Sequence, residues 1–245
     1  MDSIETTRRV QRVRHELKRR QLTVLRVEAL GPHLRRIVFG SEALADFVSM
    51  SFDDHVKMFF PLPDGSAVGR DYTPRRFDIA ARELTVDFCL HGEGPASTWA
   101  ELAEPGTLLD IGGPKGSIVI PMDYDWHLLI GDETALPAIG RRLEELAGDA
   151  HVIVLAQVAD PADRPALAVH EHVELRWFDD RASLVDAVRN LGLPAGDGYA
   201  WCAGESVATA TIRSLLVDGK GHDRHAIRAS AYWKLGASGH HENFE

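Results

Sequence analysis

Apolar and polar positions along the chain follow two rhythms, and the change between them falls near residue 122. Before it, short runs alternate. In "ELTVDFCL", Leu84, Val86, Phe88 and Leu90 share one face while Thr85, Asp87 and Cys89 share the other, the signature of a half-buried strand. "LTVLRVEAL" and "LRRIVFG" flank Gly31-Pro32-His33 and read as a hairpin, and "HVKMFFPLP" and "GSIVIP" are further strands separated by Pro-Asp-Gly and Gly-Gly-Pro-Lys-Gly turns. Many short strands with frequent turns predict an antiparallel β-barrel, interrupted by one helix at "GPASTWAELA". After "PMDYDW" the strands become continuously apolar ("HLLIG", "HVIVLAQV", "YAWCAG") and helical periods lie between them, as in Leu136, Ile139, Leu143 and Leu146. That alternation predicts a parallel sheet covered on both faces. The expected organisation is an N-terminal arm over 1–20, a barrel domain over 21–122 and an α/β domain over 123–245.

Composition changes this picture little. At 245 residues, 44% apolar and 26% charged, the chain has the material for two packed domains. No apolar run suits a membrane span or a signal-peptide core, and two distant cysteines, Cys89 and Cys202, form neither a disulfide framework nor a CxxC site. A cytoplasmic protein without membrane insertion is expected. The net charge of −10 argues against nucleic-acid binding. Residues 1–20 nevertheless carry +4, leaving −14 for the rest, and this basic arm is expected to be a solvated helix or a frayed terminus.

Chemistry concentrates in two stretches of the barrel. "RDYTPRRFD" places Arg70, Tyr72 and Thr73 at a strand end, where a guanidinium can fork a phosphate, a ring can lie on a flat heterocycle and a hydroxyl can bond its edge. "HGEGPAST" then supplies glycines for close backbone approach and small residues opening a helix, whose first N–H groups suit a pyrophosphate. Phosphate fork, aromatic platform and pyrophosphate cradle together describe a site for a flavin dinucleotide.

The chain resembles the siderophore-interacting protein family of the ferredoxin–NADP reductase superfamily, through "HVKMFFP", "RDYTPRRFD", "LHGEGPASTWA", "GDETALPAIGRRLEEL", "WCAGE" and "AYWKLG" in that order. The resemblance implies an FAD-binding barrel, a nucleotide-binding α/β domain and reduction of ferric siderophores with electrons from NADH or NADPH. It places Arg70, Tyr72 and Thr73 at the FMN half of FAD, and His91, Gly92, Gly94, Pro95, Ala96, Ser97 and Thr98 around its pyrophosphate. It places Thr134, Pro137, Gly204 and Glu205 at the NAD(P)H side, although "GDETALPAI" replaces a GxGxxG loop and Asp132 and Glu133 would repel a pyrophosphate. For the siderophore it implies Lys57 and Lys234, the latter where relatives more often carry arginine; Arg75, beside the flavin motif, is a third candidate contact.

No general acid, base or nucleophile is expected, because the flavin carries the redox chemistry. No metal site is expected either: "HEH" and "GHH" lack a second ligand cluster. Asp160 and Arg164 leave NADH and NADPH both open. The rival readings are another flavin reductase of the same superfamily, with ferredoxin as an alternative electron donor, and a siderophore-binding protein without turnover.

Overall fold

The computed structural model describes residues 9–92, 94–237 and 242–244. The first half is built from β1 (Gln11–Arg14), β2 (Arg19–Ala29), β3 (Leu34–Gly40), β4 (Val56–Pro61), β5 (Ala67–Tyr72), β6 (Arg76–Asp78), β7 (Glu83–Cys89), helix α1 (Pro95–Leu102), β8 (Leu108–Gly112) and β9 (Gly116–Val119). Strands β2 to β8 form one seven-stranded antiparallel sheet in the order β5-β4-β8-β2-β3-β7-β6. The sheet curls into a half-barrel whose edge strands, β5 and β6, are consecutive in the chain. Residues 73–75 alone cross the seam between them. Inside it lie Leu22, Ile37, Phe39, Met58, Phe60, Val86, Phe88 and Ile111. The alternation of β7 is the predicted one, with Leu84, Val86 and Phe88 buried and their neighbours partly exposed.

The N-terminal arm departs from expectation. Gln11–Arg14 pairs antiparallel with β9, and the His15 N–H donates to the Lys115 carbonyl at 3.0 Å. Arg9 pairs with Asp123 and Asp197 and lies 4.0 Å over the Tyr124 ring. The basic side chains of "QRVR" hide this strand in the sequence, since its partner is backbone from a segment about 100 residues away. Residues 1–8 of the arm lie outside the described residues.

The second half is β10 (Trp126–Gly131), α2 (Leu136–Glu145), β11 (Val152–Gln157), β12 (Val173–Phe178), α3 (Arg181–Asn190), β13 (Gly198–Glu205), α4 (Ser206–Ser214), β14 (Ile227–Trp233) and β15 (Glu242–Phe244). The sheet order is β12-β11-β10-β13-β14-β15, parallel except for β15, which runs antiparallel along the β14 edge. Every residue of β10 and β13 is buried, as a sheet covered on both faces requires. On one face α3 and α4 pack over Leu128, Ile130, Leu155 and Cys202; on the other α2 packs over Leu129, Val154 and Trp201. Among the described residues no helix is long and apolar enough to cross a membrane.

The two halves meet through buried polar contacts. Arg141 of α2 donates to the Ser49 hydroxyl (2.7 Å), the Ser49 carbonyl (3.0 Å) and the Pro74 carbonyl (3.1 Å). Arg142 donates to the Pro121 carbonyl at 2.8 Å. Asp53, from the half-barrel, accepts from Trp201 Nε1 at 3.2 Å and from Arg228.

Candidate flavin and nucleotide sites

Arg70 and Tyr72 share one face of β5 because strand residues alternate. Tyr72 packs its ring 4.5 Å from Phe88 and 5.8 Å from Phe60, and burial pushes its phenol far above the ordinary range, so it stays protonated. Arg70 donates to the Gly69 carbonyl at 2.9 Å. Thr73 is buried and hydrogen-bonds Tyr232 of β14.

The second motif follows β7. His91 is exposed, and its N–H donates to the Ser97 hydroxyl at 3.2 Å. Gly92 takes φ +77°, and Gly94 takes φ +101°, a backbone conformation that L side chains avoid. A Cβ at Gly94 would meet only His91 Cε1, at 3.7 Å, so the backbone lies open. Gly94 is also the cap residue of α1 and offers no side-chain acceptor; Pro95 starts the helix, and its first turn has no acidic residue. Ala96 and Ser97 are buried while Thr98 is exposed. A helix N-terminus left uncapped beside an exposed glycine turn fits an anionic pyrophosphate.

An aromatic cluster joins the two motifs. Trp99 of α1 lies 6.0 Å from Phe88 and 5.6 Å from Phe60, the same rings that hold Tyr72. Trp99 carries no local polar signal, and its role shows only when β4, β7 and α1 are folded together.

In the α/β half, strand order reverses between β10 and β13, the position where such sheets receive ligands. Asp132 closes this point. Its Oδ1 accepts from the Thr134 N–H (3.0 Å) and hydroxyl (2.5 Å), and its Oδ2 accepts from the Glu205 N–H and Trp233 Nε1, both at 2.8 Å. Gly204, at φ +142°, is required there, since a Cβ would stand 2.4 Å from Asp132 Oδ2. Glu205 is 3% exposed and caps α4, accepting from the Val207 N–H (2.9 Å) and the Ala208 N–H (3.1 Å). Arg181 reaches its carboxylate at 3.2 Å and stacks 5.8 Å over Trp233. Pro137 is buried in the first turn of α2. Burial pushes the carboxyls of Asp132 and Glu133 above the ordinary range. Beside these residues lies an open groove of about 610 Å³, lined by Glu133, Gln157, Arg181, Arg189, Thr211 and Trp233. Arg181 and Arg189 carry no signal in the sequence, because a helix-surface arginine looks like any solvated charge.

The three candidate siderophore contacts are scattered. Lys57 is half-exposed on the face of the β4–β5 ladder opposite Arg70 and Tyr72, in a 2.9 Å ion pair with the cross-strand Asp71. Lys234 is exposed beyond β14, bridged to Ala237. Arg75 is not at the surface: it is 7% exposed and forks Glu144 of α2 at 2.5 and 3.0 Å, because residues 73–75 cross the seam directly beneath that helix. Asp160 and Arg164, the candidates for nicotinamide choice, are engaged locally: Asp160 accepts from the Ala162 N–H at 2.9 Å and Arg164 pairs with Asp179 at 2.6 Å. Asp160 also stands near Asp163 and His33.

Comparison with known proteins agrees with this architecture. Residues 124–236 match the family described as siderophore-interacting protein, and residues 23–68 and 63–118 match the siderophore-interacting FAD-binding domain. The chain is 39% identical to the NADPH-dependent ferric-chelate reductase of Escherichia coli (strain K12), over 93% of this chain and 98% of that protein. It is 30% identical to the ferric vibriobactin reductase ViuB of Vibrio cholerae, over 89% and 90%. A siderophore utilization protein from T. fusca superposes with a TM-score of 0.88 at 35% identity, covering 94% of this chain and 98% of that one. The chain belongs to the siderophore-interacting protein family.

Proposed function

We propose that this chain is an FAD-dependent reductase of ferric siderophores that draws its electrons from NADPH or NADH. The observation that carries the reading is the convergence of an uncapped glycine turn and an Arg-Asp-Tyr-Thr strand end on one aromatic cluster, with β7 packed against the turn that follows β10 at the strand-order reversal of the parallel sheet. In this reading Arg70 takes a phosphate, Tyr72 and Thr73 border the flavin ring, and residues 91–98 hold the pyrophosphate. Bound FAD supplies the exchange between a two-electron donor and a one-electron acceptor. Relatives bearing the names ferric-chelate reductase and ferric vibriobactin reductase support the substrate class.

The protein's own part is positioning and electrostatics. Thr134 and Pro137 shape the turn at the start of α2 where the nicotinamide end is received, and Gly204 lets the chain pass close to Asp132. Arg181 and Arg189 are the cations of the adjoining groove, suited to the donor's phosphates. Lys57 and Lys234 offer exposed positive charge to an anionic ferric chelate on a protein that is otherwise strongly acidic. Fe(II) leaves because hard oxygen ligands hold it less tightly than Fe(III).

The test is the visible absorption spectrum of the purified chain supplied with FAD, followed by anaerobic turnover of a ferric siderophore with an Fe(II) trap. A perturbed flavin spectrum and trapped Fe(II) with NADPH or NADH are expected. A chain that binds no FAD refutes the reading. One that binds FAD and chelate but reduces nothing with either nicotinamide is a binding protein.

A further inference from the structure

The three residues after Tyr72 each grip the α/β half. Thr73 hydrogen-bonds Tyr232 of β14, the Pro74 carbonyl accepts from Arg141 at 3.1 Å, and Arg75 forks Glu144 with bonds of 3.0 and 2.5 Å. Two of these partners sit on α2, the helix that begins at the turn carrying Thr134 and Pro137. From Pro137 to Glu144 is seven residues, or ~10 Å of rigid helix. The Arg75 guanidinium also lies flat on Gly140, where a Cβ would stand 3.1 Å from its Nε. Its backbone N–H donates to the Thr85 carbonyl at 2.9 Å, so the same residue is anchored to β7 inside the half-barrel.

We infer that Arg75 is a positioning residue rather than a siderophore contact: its fork to Glu144 sets the flavin motif against the donor-side turn through α2. The inference rests on the proposed FAD and nicotinamide sites. A bidentate, charge-assisted pair made by a buried guanidinium fixes both distance and angle, which a lysine at the same place cannot do. Misplacement of reacting groups by about 1 Å costs as much as ~100-fold in rate, so the geometry held here bears on electron entry. Electron exit to a chelate at the exposed side does not pass through α2 and should not depend on the fork.

The experiment uses the FAD-loaded protein with Arg75→Lys, Glu144→Gln and the reversed pair Arg75→Glu/Glu144→Arg. Glu144 is 40% exposed, so its variant keeps the fold if Arg75→Lys does not. Three quantities are read: flavin reduction by NADPH or NADH under anaerobic conditions, reoxidation of the dithionite-reduced protein by an anionic and by a neutral ferric chelate, and hydrogen exchange of the amides of residues 75–77 in the FAD-free chain. Both single variants should slow flavin reduction about tenfold while reoxidation by either chelate stays within about twofold. Amide exchange should quicken, and the reversed pair should recover most of the reduction rate. Unchanged reduction overturns the inference, as does selective loss with the anionic chelate, which would make Arg75 a chelate contact. If the wild-type chain binds no FAD or accepts no electrons from either nicotinamide, the proposed function fails in that control and the inference falls with it.

Discussion

The turns that open α1 and α4 are two helix N-termini in one molecule, finished in opposite ways. At α1 the cap position is Gly94, the first turn has no acidic residue and the neighbouring backbone is open. At α4 the cap position is Glu205, whose buried carboxylate already accepts from two first-turn N–H groups and pairs with Arg181. The same peptide dipole is thus left free for an outside anion in one half and satisfied by an internal one in the other. With Asp132 and Glu133 beside it, the groove proposed for the donor does not offer a pyrophosphate the helix end. That contrast suits a resident cofactor on one side and a passing donor on the other.

The largest break of the contrast is Gly94→Val. A β-branched residue at φ +101° strains the turn and covers the open backbone, so FAD affinity should fall by about 100-fold, measured by flavin fluorescence titration. Tyr72→Ala comes next: losing the ring that packs on Phe88 should weaken FAD about tenfold in the same titration. Glu205→Gln sharpens the contrast from the other side, since it keeps an acceptor for α4 but removes a charge and releases Arg181. The KM for NADPH should drop about threefold with FAD affinity unchanged; a raised KM would show that the carboxylate itself contacts the donor.

The pH profile tests the same asymmetry. Burial raises the carboxyls of Asp132 and Glu133, so they become neutral at a higher pH than ordinary carboxylates as pH falls. Repulsion of the donor should therefore weaken on going from neutral to mildly acidic pH, lowering the KM for NADH. Initial-rate measurements over that range check it, with NADH chosen because it lacks the 2′-phosphate that titrates nearby. The smallest effect is expected for Lys57→Ala, which should slow reduction of an anionic chelate about twofold more than that of a neutral one, given its exposure and its pairing with Asp71.

What could be seen in the sequence were the features that a short window carries. The two-residue period of β7, the unbroken apolar runs of β10 and β13 and the helical spacing of Leu136, Ile139 and Leu143 report burial through local chemistry, and the structure has each of them. Hidden features depend on a distant partner. Gln11–Arg14 becomes a strand because β9 offers an edge, and Arg75 is buried because Glu144 lies above the seam. The capping role of Glu205 shows only once its carboxylate is seen to accept from the Val207 and Ala208 N–H groups. Trp99 and Arg181 show no signal until helix and sheet meet.

The short strand Glu242–Phe244 has a practical bearing on handling this protein. It runs against the grain of a parallel sheet, bonding its Asn243 side chain to Ser230 at 2.7 Å and covering the backbone of Ala229–Ala231. Without it, β14 would present a row of unpaired amides and carbonyls to any second chain. Three residues therefore act as a stopper against edge-to-edge growth. An affinity tag or truncation that disturbs them should be judged first by light scattering, before any assay of flavin or iron.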